Sequence, residues 1–112
     1  MATNDRVRGH LDGLVLAVLA RAPGHGYAVI EILRDESQGE LDLPEGSVYP
    51  ALHRLEHAGL VSSAWAAGST RRRRVYALTA DGRRELTAQR KEWAAFAGAV
   101  SRVLGPSPAG AS

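Results

Sequence analysis

Four consecutive arginines, Arg71 to Arg74, are the densest concentration of a single chemistry in this chain. A guanidinium is permanently charged and presents several N–H donors, so such a cluster suits phosphate oxygens. Between positions 69 and 90 seven arginines (Arg71, Arg72, Arg73, Arg74, Arg83, Arg84, Arg90) stand against Asp81 and Glu85. Between positions 31 and 45 six acids (Glu31, Asp35, Glu36, Glu40, Asp42, Glu45) stand against Arg34. The formal net charge of +2 therefore averages a basic segment with an acidic one. A basic cluster inside a folded chain is the electrostatic footprint of a surface that meets phosphate, a solvated loop being the plainer alternative.

A second set of polar groups lies between positions 47 and 57. Val48, Leu52 and Leu55 take one side of a helical pattern and leave Ser47, Tyr49, Pro50, His53, Arg54 and His57 on or near the other. These side chains can donate to phosphate oxygens or reach base edges. His53, Glu56 and His57 also spell H-x-x-E-H, an inverted zinc-protease pattern. A catalytic zinc needs a third protein ligand and a cleft, and the pattern supplies neither, so adventitious metal binding by His53 and His57 fits it better than catalysis does. The chain has no cysteine, which excludes disulfides, Cys-ligated zinc, iron–sulfur clusters and a thiol nucleophile. There is no Gly-rich phosphate loop, no nucleophile elbow and no carboxylate pair forced together by spacing. No catalytic residue, cofactor or resident metal is expected.

The elements that must carry these groups follow from periodicity. Leu11, Leu14, Val15, Val18, Leu19 and Ala22 form the stripe of an amphipathic helix over 11–22, stopped by Pro23-Gly24. A second helix is predicted from Gly26 to about Glu36, with its acids outward. The third starts near Gly46 or Ser47, because Pro44 and Pro50 fit before or within a first turn, and ends at Gly59, over which Leu60 folds back. Beyond Gly59 the period falls to about two, giving strands over Leu60–Ala66 and Arg73–Leu78 around the turn Ala67-Gly68-Ser69-Thr70. Thr79 caps a last helix running to about Leu104, where Gly105-Pro106 ends it. Tyr27 is expected in the core, and Trp65, on the first wing strand, is expected to serve packing. Tyr49, on the polar side of its helix, is the weaker candidate for the core.

The order helix, helix, helix, hairpin, long helix predicts a mainly α fold with a small β-hairpin: a winged helix-turn-helix plus a long C-terminal dimerisation helix. Residues 1–9 are expected to form a flexible arm, 10–79 the DNA-binding domain, 80–104 the dimerisation helix and 105–112 a disordered tail. On the last helix Leu86, Trp93 and Val100 recur every seven residues with Phe96 and Val103 at the d-type spacing, a stripe that needs a partner helix. Those five residues are the expected dimer interface. Paired Trp93 indoles across it would also sandwich a flat aromatic ligand. The longest apolar run, Leu14 to Ala20, is far short of the roughly 20 residues of a membrane span, and the N-terminus has no signal-peptide pattern, so a cytoplasmic location is expected.

Gly26-Tyr27, the segment Ser47-Val48-Tyr49-Pro50-Ala51-Leu52-His53-Arg54-Leu55-Glu56-His57-Ala58-Gly59-Leu60-Val61, and Arg74-Val75-Tyr76-Ala77-Leu78-Thr79-Ala80-Asp81-Gly82 together closely resemble the PadR family of bacterial transcriptional regulators. The likeness spans roughly residues 10 to 100, with Ser47-Val48 standing where Thr-Leu is commoner. It implies a homodimeric, ligand-responsive repressor of a palindromic double-stranded DNA operator, with one helix after the wing as in the compact subgroup. It further implies that Ser47, Tyr49, Pro50, His53 and Arg54 face DNA from the third helix and that Arg71, Arg72 and Arg73 contact it from the wing. Trp93, Ala97 and Asp12 are the residues expected to bind a small aromatic effector. The rival reading is a winged-helix module that binds protein rather than DNA, through its acidic second helix.

Overall fold

The computed structural model describes residues 10–68 and 73–106. The chain forms α1 (Leu11–Arg21), α2 (Gly26–Glu36), α3 (Glu45–His57), β1 (Val61–Trp65), β2 (Arg74–Leu78) and α4 (Ala80–Leu104). This is the expected mainly α arrangement with one antiparallel hairpin. The expected arm at 1–9, the wing-tip residues 69–72 and the tail beyond 106 lie outside the described residues.

α1 is the hub. Its predicted stripe buries Leu11, Val15, Val18 and Leu19, but Leu16, which lies off that stripe, is fully buried as well. The reason is tertiary: α1 packs against α2, α3, α4 and β2, so more than one of its faces is covered. Val29, Ile30 and Leu33 of α2, Val48, Ala51, Leu52 and Leu55 of α3, and Val61, Tyr76 and Leu86 complete the core around it.

The ends of α3 are set by its sequence. Pro44 occupies the N-cap, and its carbonyl accepts from the amides of Ser47 (3.0 Å) and Val48 (3.2 Å). Pro50, expected no deeper than the first turn, stands in the second. Its missing N–H leaves the Gly46 carbonyl without a helical partner, and exposure of both residues lets water serve that oxygen. At the other end Gly59 adopts φ +81°, the Leu60 amide donates to the Leu55 carbonyl (2.9 Å) and the Gly59 amide to that of Glu56 (3.0 Å). This is the Schellman closure anticipated from Gly59 and Leu60.

The same corner anchors α4. Thr79 caps it as expected, its hydroxyl accepting from the Gly82 amide (3.0 Å) while donating to the Gly59 carbonyl (2.7 Å). Gly82 lies directly against the Leu60 carbonyl, where a β-carbon would strike backbone. The start of α4 is thereby tied to the end of α3. α4 has 25 residues, about 37 Å at 1.5 Å per residue, and its C-terminal half runs beyond the core.

The hairpin pairs Val61 with Leu78, Ser63 with Tyr76 and Trp65 with Arg74. A third segment joins it: Gly24, between α1 and α2, exchanges both backbone hydrogen bonds with Tyr76 (3.0 and 2.8 Å). The wing is thus bound to the loop before α2, a pairing that no periodicity announces in a one-residue bridge.

Candidate nucleic-acid interface

On α3, Val48, Ala51, Leu52 and Leu55 face the core while Pro50, His53, Arg54 and His57 are exposed and Ser47 and Tyr49 half-buried. The five α3 residues expected to face DNA therefore lie on one continuous surface. The two tyrosines reverse their expected roles. The Tyr49 ring packs on Gly26 at the start of α2, whereas Tyr27 is 49% exposed. Gly26 has no side chain to exclude that ring, so Tyr49 fills the space beside it.

Arg54 does not stand alone, since it donates to the carboxylate of Asp12 on α1 at 2.8 Å. Glu56, the carboxylate of the H-x-x-E-H pattern, faces the hairpin: it accepts from the Ser63 hydroxyl at 2.6 Å and lies 3.9 Å from the Arg74 guanidinium. Arg74 also donates to Ser63 (3.0 Å) and stacks over Trp65, 4.8 Å from the ring centroid. Arg74 is therefore committed to holding the wing against α3. Trp65, expected to serve packing, is 50% exposed and packs beneath that guanidinium. A strand at the edge of a two-stranded sheet has no second layer to cover it, so cation–π stacking takes the place of burial.

Arg73, immediately before β2, has a different partner from Arg74. Its guanidinium lies 3.2 Å from His25 Nε2, within hydrogen-bonding distance. His25 is the N-cap of α2, so this contact reinforces the Gly24 bridge between wing and helix-turn-helix. Arg71 and Arg72 lie outside the described residues. Sequence reasoning missed His25 and Gly24; Pro23-Gly24 signalled a turn there but not its partner.

Part of the acidic segment is internally paired. Glu36 accepts from Arg21 at 2.8 Å, which holds its carboxyl below the usual range and raises the arginine, and Arg34 lies 3.9 Å from both Asp35 and Asp42. Burial raises the hydroxyl of Tyr76 above the ordinary phenol value, with Glu56 adding to the effect.

The residues expected on the dimer face divide. Leu86 is 4% exposed and belongs to the protomer's own core, because the first turns of α4 pack on α1. It has no surface left for a partner. Trp93, Phe96, Val100 and Val103 remain exposed on the distal part of α4. Beside Trp93 an open, largely apolar groove of about 430 Å³ runs between α1 and α4, lined by His10, Gly13, Leu14, Leu86 and Gln89 among others. Of the three expected effector residues only Trp93 borders it. Asp12 turns to Arg54, and Ala97 lies one turn further along α4. Among the described residues no helix is long and apolar enough to cross a membrane.

Comparison with known proteins agrees with this geometry. Residues 15–88 match the transcriptional regulator PadR-like family. An uncharacterised curated protein of Lysinibacillus sphaericus is 26% identical over 95 residues, covering 84% of this chain and 87% of its own. A PadR family transcriptional regulator of Eggerthella lenta shares 32% identity and superposes with a TM-score of 0.79 over 92% of this chain and 88% of its own. A transcriptional regulator of Clostridium thermocellum is similar at 25% identity and a TM-score of 0.84, over 90% of this chain and 99% of its own. With two thirds of its length matched by the family and its winged helix shared with solved members, this chain belongs to the PadR-like family of DNA-binding transcriptional regulators and is not an enzyme.

Proposed function

We propose that the protein is a homodimeric repressor that sets its two α3 helices into successive major grooves of a palindromic operator, about 34 Å apart, with the wings on the flanking backbone. The observation that carries this reading is the exposed face of α3, where Pro50, His53 and Arg54 stand beside Ser47 and Tyr49, next to a wing braced on α2 through Gly24 and His25. Phosphate contacts from Arg71, Arg72 and Arg73 supply affinity, and side chains of α3 supply discrimination. Pairing is supported by the exposed apolar residues of distal α4, which a second copy would cover. A ligand response is supported by the groove at Trp93. A flat apolar molecule there would favour one relative orientation of the two wing domains over another, and so shift the dimer toward or away from groove-matched spacing.

The decisive experiment is a mobility shift on the DNA immediately upstream of the protein's own reading frame, with a reporter fused to that region. A discrete complex resistant to excess random duplex, and reporter expression that rises when the protein is deleted, are the expected results. Failure to discriminate that DNA from random duplex removes autoregulation through this operator. Reporter activity that falls on deletion makes the protein an activator.

A further inference from the structure

The ion pair between Asp12 and Arg54 joins residues 42 positions apart in the chain, and stability does not account for it. Both side chains are partly exposed to solvent in the free protein, where screening leaves an ion pair little net energy; that screening falls when DNA displaces water from this face. The turn that bears Asp12 is braced from the other side. Gly13 lies against the Gln89 side chain of α4, and the His10 ring meets Trp93 edge-on at 4.9 Å. Arg54, by contrast, is a long side chain on the open face of α3. The carboxylate is the fixed member of the pair and the guanidinium the one that is held.

A free arginine on that face would reach for the nearest phosphate and add affinity for every sequence. An arginine held by a carboxylate has its charge compensated and the plane of its donor fork set, which suits bidentate recognition of a base edge. We propose that Asp12 is a specificity-determining positioning residue, which withholds Arg54 from the DNA backbone and orients it toward base edges. The inference rests on the proposed docking of α3 in the major groove.

The test uses the full chain and two probes, a duplex selected by the wild-type protein from a random pool and a duplex of random sequence, titrated from roughly 50 to 200 mM salt. Asp12→Asn is expected to bind random duplex more tightly, with a salt slope steeper by about 0.9 for one additional phosphate. Its preference for the selected duplex is expected to fall about tenfold, the scale of one lost base contact. Asp12→Glu, which keeps the charge, is expected to retain most of that preference, and thermal melts verify that each variant is folded. Arg54→Ala is expected to weaken binding to the selected duplex, and adding Asp12→Asn to it should steepen nothing further. If Arg54→Ala leaves binding to the selected duplex intact, both the docking of α3 and this inference fall. If Arg54→Ala weakens binding while Asp12→Asn changes neither slope nor preference, the inference alone is overturned. It is overturned equally if Asp12→Asn steepens the slope as much without Arg54 as with it, since the carboxylate then acts only as a repulsive charge.

Discussion

The aromatic ring of Tyr49 on α3 packs against Gly26, the first residue of α2, so closely that a β-carbon on Gly26 would overlap it. This contact sets the approach of the two helices of the helix-turn-helix at the point where α3 turns its polar face outward. Gly26→Ala is expected to push the ring aside and destabilise the fold by about 1–3 kcal/mol, the usual cost of overpacking. Gly46→Ala supplies the opposite sign. Gly46 is helical with nothing within 4 Å of a β-carbon, so alanine there should stabilise by about 0.5–1 kcal/mol. Chemical denaturation of the two variants checks both signs, and equal effects would contradict the Tyr49 contact.

The wing network of Glu56, Ser63, Arg74 and Trp65 makes a distinct prediction. Arg74→Lys keeps the charge but loses the planar guanidinium that stacks on Trp65 and donates to Ser63. A loss of about 1 kcal/mol is expected, the scale of one net hydrogen bond or an exposed cation–π contact. Unchanged melting temperature in Arg74→Lys would mean that charge alone secures the wing.

Replacing Arg72 and Arg73 together by alanine is expected to weaken binding to every DNA sequence and flatten the salt slope by roughly one to two units. Salt titration of the mobility shift measures this. A slope equal to that of the wild type would take the wing out of the interface.

Distal α4 is predicted to hold two chains together. Phe96 is 57% exposed in the single chain, so Phe96→Asp leaves the protomer core untouched. Sedimentation velocity should show the variant as a folded monomer with operator affinity reduced at least tenfold, because one half-site then binds without the other. A dimeric Phe96→Asp protein would place the pairing surface elsewhere.

Tyr76 predicts the alkaline limit of stability. Its phenol is held above the ordinary value, chiefly by burial, so the folded chain favours the protonated form. The unfolded chain releases this proton first as pH rises. The stabilisation is therefore complete below about pH 10, the ordinary phenol value, and is lost progressively above it. Tyr76→Phe should lose less stability than the wild type as pH rises above about 10. Parallel curves for the two proteins would show that Tyr76 is not the group responsible.

The sequence by itself determined the order of elements, because the apolar spacing of the helices, the alternation after Gly59 and the stop signals at Pro23-Gly24, Gly59 and Gly105 act within a few residues of one another. The Schellman closure at Gly59 and the Thr79 cap were legible for the same reason, both being local hydrogen-bond patterns with characteristic residues. The polar face of α3 followed from period alone. Tertiary structure decided whatever depends on residues distant in the chain. It buried Leu16 because α1 is enclosed on several sides, and withdrew Leu86 from the pairing face because α4 begins against α1. It set Tyr49 against Gly26, whose missing side chain admits the ring, and left Tyr27 exposed. It also divided the arginines. Arg74 went to the wing network, Arg73 to His25 and Arg54 to Asp12, since the partner of a charge is whichever opposite or acceptor group the fold brings within about 3–4 Å, and linear spacing carries no record of that distance.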